Sequence, residues 1–242
     1  GLLPTTSPFP PGGGPDPLAT HVQQPLVDWP LGQPDAVISI PTQSVPAAGV
    51  IAYRYLTALN PFTSNVWLRA VAIKPGNRAV VHHALAFKGS ISDLLLLAGG
   101  LGGFFGEYVP GLDQAMFPSG TGKLLRKGDN IVFQMHYTAN GKATTDRTQL
   151  GLYIAPTPPE REIITSAAYD TGFTIPPGNP EVPVDASMTF SSKSLIYEIS
   201  PHMHFRGKSA RFWLVYPDGK REVLVNVPAY FFNWQTLYRL AT

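Results

Sequence analysis

Apolar and polar positions along this chain fall into short runs rich in β-branched and aromatic residues, cut by turn residues. The runs occupy 50–56, 66–73, 79–87, 130–138 and 150–155, and a second set occupies 163–169, 184–190, 194–205, 210–216 and 221–227. Pro75-Gly76-Asn77, Lys127-Gly128-Asp129, Asn140-Gly141 and Pro217-Asp218-Gly219 mark turns between them. Many strands at this spacing predict an all-β fold of two antiparallel β-sandwich domains, jelly-roll-like in form. The one helix candidate is a short piece at 91–97. Residues 1–34 carry nine prolines and the run Gly12-Gly13-Gly14. They read as a linker or an arm lying over the body. The expected organisation is an arm at 1–35, a first sandwich at 36–157 and a second at 158–242, hinged at Pro156-Thr157-Pro158-Pro159.

Composition narrows the function classes. Apolar residues make up 44% of the 242 positions and charged residues 14%, which suits a globular body with real cores. The net charge is +2 and the eighteen Lys and Arg are scattered, so nothing marks a nucleic-acid footprint. With no cysteine, disulfides, thiolate metal sites and a Cys nucleophile are excluded. The longest apolar stretch, 94–105, is too short and too glycine-rich for a transmembrane helix. The chain starts at Gly1, which leads to the expectation that a signal peptide or an upstream domain has been removed.

The candidate chemistry lies in the histidines. Of six, His82, His83, His136, His202 and His204 fall inside predicted strands, whereas His21 sits in the arm. Neutral imidazole is the commonest side-chain ligand for copper, zinc and iron. His202 and His204, two apart, share one face of an extended strand and can grip one ion together. His82 and His83 are adjacent and point to opposite faces of a flat strand. They can share an ion only where a bulge or strong twist re-aims one ring. His136 lies in the apolar run Phe133-Gln134-Met135-His136-Tyr137. Taken singly, His202 and His204 read as well as structural histidines as ligands, whereas His82-His83 and His136 each read more readily as structural. Taken jointly, three groups in apolar strands favour a shared metal, which removes the cost of burying unpartnered imidazoles.

Val81-His82-His83-Ala84, then Gln134-Met135-His136-Tyr137, then His202-Met203-His204 together resemble the copper type II, ascorbate-dependent monooxygenases. That family includes peptidylglycine α-hydroxylating monooxygenase and dopamine β-monooxygenase. Ile175-Pro176-Pro177-Gly178 falls at the family's place near the start of the second domain. The match covers most of 29–240 and is nearest a bacterial branch in which a redoxin-like or cytochrome c-like region precedes the copper part. The resemblance implies two coppers: an electron-storage ion on His82, His83 and His136, and an oxygen-binding ion on His202 and His204. It further implies ascorbate or another external electron donor, hydroxylation of a C–H bond with O2, and a periplasmic or extracellular location. The substrate class, small molecule or peptide, stays open.

Two departures qualify the resemblance. The family's oxygen-binding copper takes a methionine well downstream of His-x-His, and Thr242 comes before that place. The second site is therefore expected to be incomplete, or the chain a fragment, and the second sandwich short of strands. Peptide-processing members carry an arginine where this chain has Ser200, which speaks against a C-terminal peptide substrate. A copper-binding or electron-transfer protein without hydroxylase activity is the main alternative. A β-sandwich binding module with structural histidines is another, for which Trp29, Trp67, Trp213 and Trp234 would be the platforms; their apolar neighbours place most of them in the core instead. A three-histidine zinc site fits the same residues.

Overall fold

A computed structural model describes residues 28–91, 103–109, 114–170, 172–203, 206–231 and 236–241 of the chain. The protein is all-β, built of several antiparallel sheets. It divides into two compact units between Ala167 and Ala168. The segment beyond the Pro156–Pro159 run still belongs to the first unit, because β12 (Arg161–Glu162) pairs in parallel with β8 (Thr121–Leu125).

The first unit is a sandwich of two sheets. One runs in the order β1 (Ala36–Ser39), β11 (Gln149–Ile154), β4 (Val66–Lys74), β8, β12, with β7 (Gln114–Met116) also paired to β4. The other runs β3 (Arg54–Leu59), β9 (Asn130–Tyr137), β5 (Val81–Lys88), β6 (Phe104–Tyr108). A small ribbon joins β2 (Gln43–Val45) to β10 (Thr144–Asp146). Alternation decides which side chains face inward. In β9, Ile131, Phe133, Met135 and Tyr137 point into the core, where they meet Leu68, Val71, Ile73, Leu125, Leu150 and Leu152 of the opposite sheet. The two sheets approach so closely at Gly106 that a Cβ there would lie 2.7 Å from a Val71 methyl.

A smaller cluster lies on the outer side of the six-stranded sheet. Trp29 packs there on Ala70, Ala72 and Tyr153, and a Cβ at Gly151 would strike its ring at 2.8 Å. The end of the proline-rich arm is thus packed against the sandwich, while residues 1–27 lie outside the described residues.

Among the described residues of the second unit there are two ribbons. β13 (Glu198–Ile199) pairs with β16 (Tyr238–Arg239), and β14 (Ala210–Val215) pairs with β15 (Arg221–Val227) across the predicted Pro217–Gly219 turn. Only Pro201 and Val225 are buried among them. Three expectations fail here. The runs at 163–169 and 184–190 form no strand, and 194–205 contributes only Glu198–Ile199 among its described residues. Their alternation offers apolar side chains, but Ile164, Tyr169, Val184, Phe190 and Leu195 stay exposed, and no strand pairing covers them. Trp213 is likewise 47% exposed and not a core residue. The helix candidate at 91–97 lies outside the described residues beyond Ile91, as does Trp234. No helix among the described residues is long and apolar enough to cross a membrane.

Candidate metal centre

The first histidine group depends on one irregularity in the β5–β9 ladder. Val81 faces Tyr137 and His83 faces His136, so His82 is an extra residue with no cross-strand partner. This is a β-bulge, and it shifts the facing of every later side chain on the strand. Val81 and Ala84 point inward on either side of it, leaving both His82 and His83 on the outer face. His136 lies on that face too, because Met135 and Tyr137 take the inward positions in β9. The condition that adjacency imposes on His82 and His83 is therefore met.

The three imidazoles come together on the outer face of the four-stranded sheet. One ring nitrogen from each lies within 4.8 Å of the others. Ring centroids are 4.9 Å apart for His82 and His136, 5.0 Å for His83 and His136, and 5.6 Å for His82 and His83. His82 Nδ1 and His83 Nδ1 are 3.4 Å apart. Two ligands at the ~2.0–2.1 Å metal–nitrogen distance and that separation subtend about 110° at a shared ion, close to tetrahedral. His136 Nδ1 is buried with no hydrogen-bond partner, as befits a ring nitrogen reserved for a metal. Burial, and then the nearby His82, hold the His136 pKa below its ordinary value. The ring is thus kept neutral, which is the ligating form. The donor set is all imidazole and suits copper or zinc.

Surrounding groups fix these rings. Gln134, outward-facing on β9 and opposite both Leu85 of β5 and Tyr55 of β3, lies with Oε1 3.4 Å from His83 Nε2. Its Nε2 donates to the Tyr55 hydroxyl at 3.3 Å. Tyr53, just ahead of β3, stacks on His136 with centroids 4.6 Å apart and planes inclined by 25°. Beneath the site, the Tyr137 hydroxyl donates to the buried Asp146 carboxylate at 2.9 Å. Asp146 also accepts from the Thr148 hydroxyl at 2.8 Å, the Thr148 amide at 3.2 Å and the Asn77 amide at 2.9 Å. That satisfies a buried charge with four donors and ties β9 to β10. Burial and the Asp146 charge push the Tyr137 pKa far upward, so its proton stays in place to donate. Tyr53 and Tyr55 were not singled out from sequence. Their signal was present as two tyrosines on one face of the 50–56 run, but it becomes meaningful only with the β3–β9 register.

Of the second group, only His202 is among the described residues. His202 is exposed and lies outside any strand, and His204 lies outside the described residues. No strand includes His202, and the expected same-face pairing with His204 falls on a residue outside the described ones. The neighbouring backbone is held differently: Tyr230 Oη accepts from the Met203 amide at 3.0 Å and donates to the Met203 carbonyl at 2.6 Å.

Fold and site together define an all-β protein whose sandwich carries a three-imidazole cluster of metal-binding geometry. A scan against protein-family models and a search of curated proteins matched nothing.

Proposed function

We propose that this protein is a copper-dependent monooxygenase-like oxidoreductase, with a redox copper held by His82, His83 and His136. The observation that supports it most is the bulged β5–β9 register, which brings two sequence-adjacent histidines and a third from another strand to one point. A bulge leaves a ladder position unpaired, and here it supplies a ligand instead. Copper bound there supplies one-electron chemistry, because imidazole supports both of its common oxidation states. The chain's own contribution is to hold three imidazole rings at one point, shield His136 Nδ1 from water and leave His82 exposed to the reductant. The resemblance of the three histidine motifs to the ascorbate-dependent family supports the further reading: a second copper at His202 and His204, and hydroxylation of a C–H bond with O2. It also supports ascorbate or an upstream redoxin or cytochrome c-like domain as electron source, and a periplasmic or extracellular setting.

Copper titration of the 242-residue chain tests this. The wild type takes up two equivalents, and His136→Ala and His202→Ala each lose one. Loss of both from either substitution indicates one shared cluster. Preference for zinc over copper in competition overturns the redox reading. A protein that binds copper and cycles it with ascorbate, yet consumes no O2 beyond that cycling, is an electron-transfer protein. The exposed, strandless His202 favours that second reading.

A further inference from the structure

We infer that Asp146 is a positioning residue that fixes where the β5 bulge falls, and so where His82 and His83 stand. This rests on the copper reading of the three-histidine cluster. A strand register slips where little specifies it, and a bulge is a change of register. Here Val81, the last residue before the bulge, is pinned twice. It faces Tyr137 across the ladder, and its amide donates to the Asn77 carbonyl at 3.1 Å. The Val80 amide donates to the same carbonyl at 3.2 Å, and the Val80 carbonyl accepts from the Thr138 amide at 2.8 Å. Tyr137 and Asn77 in turn meet at one carboxylate. Asp146 Oδ2 accepts from the Tyr137 hydroxyl at 2.9 Å, and Oδ1 accepts from the Asn77 amide at 2.9 Å.

These contacts close a ring that runs from Asp146 through the Asn77 turn to Val81, across to Tyr137 and back to Asp146. Both strands that carry the imidazoles are therefore tied to one buried group. Local chemistry stiffens the ring. Asn77 Oδ1 accepts from the Ala79 amide at 3.1 Å, and its Nδ2 donates to Thr144 Oγ1 at 3.1 Å. Gly76 lets the turn lie against the neighbouring backbone, since a Cβ there would stand 2.6 Å from the Arg147 amide nitrogen. The Thr148 amide and hydroxyl also donate to Asp146 Oδ2, at 3.2 and 2.8 Å. Asp146 and Tyr137 are 2% and 1% exposed, so water does not stand in for either partner. Asp146 thus acts on the cluster through the backbone of β5 and β9, by holding the two sides of the bulge in step.

Metal affinity, read together with the identity of the ligands, tests this on the full chain. Copper(II) and zinc(II), the diamagnetic probe, are titrated by competition into wild type, Asp146→Asn, Tyr137→Phe and Trp29→Ala, each at a temperature where thermal unfolding shows it folded. Asn has one oxygen. Turned to accept from Tyr137 and Thr148, it presents its NH2 to the Asn77 amide, donor against donor, and the ring opens on the β5 side. Tyr137→Phe opens it on the β9 side. Trp29→Ala is the control, a truncation on the outer side of the six-stranded sheet that destabilises the same unit away from the Asp146 contacts. Couplings of this kind change affinity by ~5–150-fold, and both ring variants should bind about 5–20-fold more weakly, with Trp29→Ala within twofold of wild type. Nitrogen-15 histidine spectra of the zinc-loaded proteins should show His82 bound in wild type and Trp29→Ala, and shifted toward the free imidazole in Asp146→Asn. A merely structural role lowers the folded fraction and moves neither readout of the folded protein. Should Asp146→Asn fail to fold, Tyr137→Phe decides by the affinity. Affinities within twofold of wild type in the folded ring variants, or an equal loss in Trp29→Ala, overturn the inference while leaving the copper site standing. A wild type that binds neither ion at these histidines overturns both.

Discussion

His82–His83 and the segment around His202 are both pairs of nearby histidines, yet they stand in different surroundings. The first pair lies on β5, flanked by β9 and β6, with its rings on the outer side of a filled core. His202 lies in a strandless stretch of a unit whose described residues bury only Pro201 and Val225. The difference teaches that spacing along the chain does not build a site. His-x-His has the simpler spacing, since any straight strand would align it, whereas His-His needs a defect at a particular rung. The harder pattern forms on β5, where Val81 opposite Tyr137 and His83 opposite His136 place the extra residue at His82.

Removing the defect should give the largest effect. With His82 deleted, Val81 opposite Tyr137 runs straight into His83 opposite His136, a regular ladder in which Ala84 and Ala86 keep their inward positions. The fold should survive, while copper affinity falls by more than the ~100-fold that loss of an outer partner brings. An unfolded deletion variant, or one that retains tight binding, would contradict the role given to the bulge. His202→Ala is the matched control and should leave the first centre's affinity unchanged.

Asp146→Ala comes next and acts on stability. It strands the Tyr137 and Thr148 hydroxyls and the Asn77 and Thr148 amides inside the first unit. Each buried donor left unpaired costs about 1–3 kcal/mol, so a loss of at least about 3 kcal/mol in urea unfolding is expected after partial relaxation. Tyr230→Phe, which loses one hydroxyl that bridges Met203 in the second unit, should cost about 1 kcal/mol. Equal losses would erase the contrast in how firmly the two regions are held.

How far each region was legible in the sequence follows the same division. The runs at 66–73, 79–87, 130–138 and 150–155 became β4, β5, β9 and β11, whose inward residues share one core. Alternation says which side chains share a face, and that suffices where an opposite sheet exists. At 163–169 and 184–190 the same alternation produced no strand, since it names no partner to receive Ile164 or Phe190. β6 and β8 fall outside the predicted runs, being preceded or interrupted by Gly103, Gly106, Gly120 and Gly122. At Gly106 and Gly122 they instead allow close contact, with Val71 and with the Leu68 carbonyl and Pro159 respectively. For the site, sequence stated the requirement for a bulge but not its presence, because register belongs to two strands at once. The contact of Gln134 with Tyr55 was not legible, for the same reason.

A pH titration separates the two histidine groups further. Burial lowers the His136 pKa below 6.5, so in acid the unfolded chain binds a proton that the folded protein resists. Stability from this ring is therefore complete above about pH 6.5 and is lost as pH falls toward the lowered folded value. Thermal midpoints of the metal-free protein should drop across that window, and His136→Gln should remove part of the drop. His202→Gln should leave the drop intact. Copper should shift the loss to lower pH, since protons must displace the ion before they reach the rings.

The smallest expected effect concerns Tyr53. Its ring lies nearly parallel over His136, but it is 47% exposed, so water already solvates much of one face. Stacked aromatic pairs contribute about 0.5–1.5 kcal/mol, and this exposure puts the pair at the lower end. Tyr53→Leu should thus weaken copper by about twofold, while Tyr53→Phe, which keeps the ring, should not change it. The ordering matters more than the size. If Tyr53→Leu were to cost as much as deletion of His82, the rings would be held mainly by stacking from the strand edge. Register would then be only a scaffold, and the contrast with the His202 segment would have to be sought in aromatic cover.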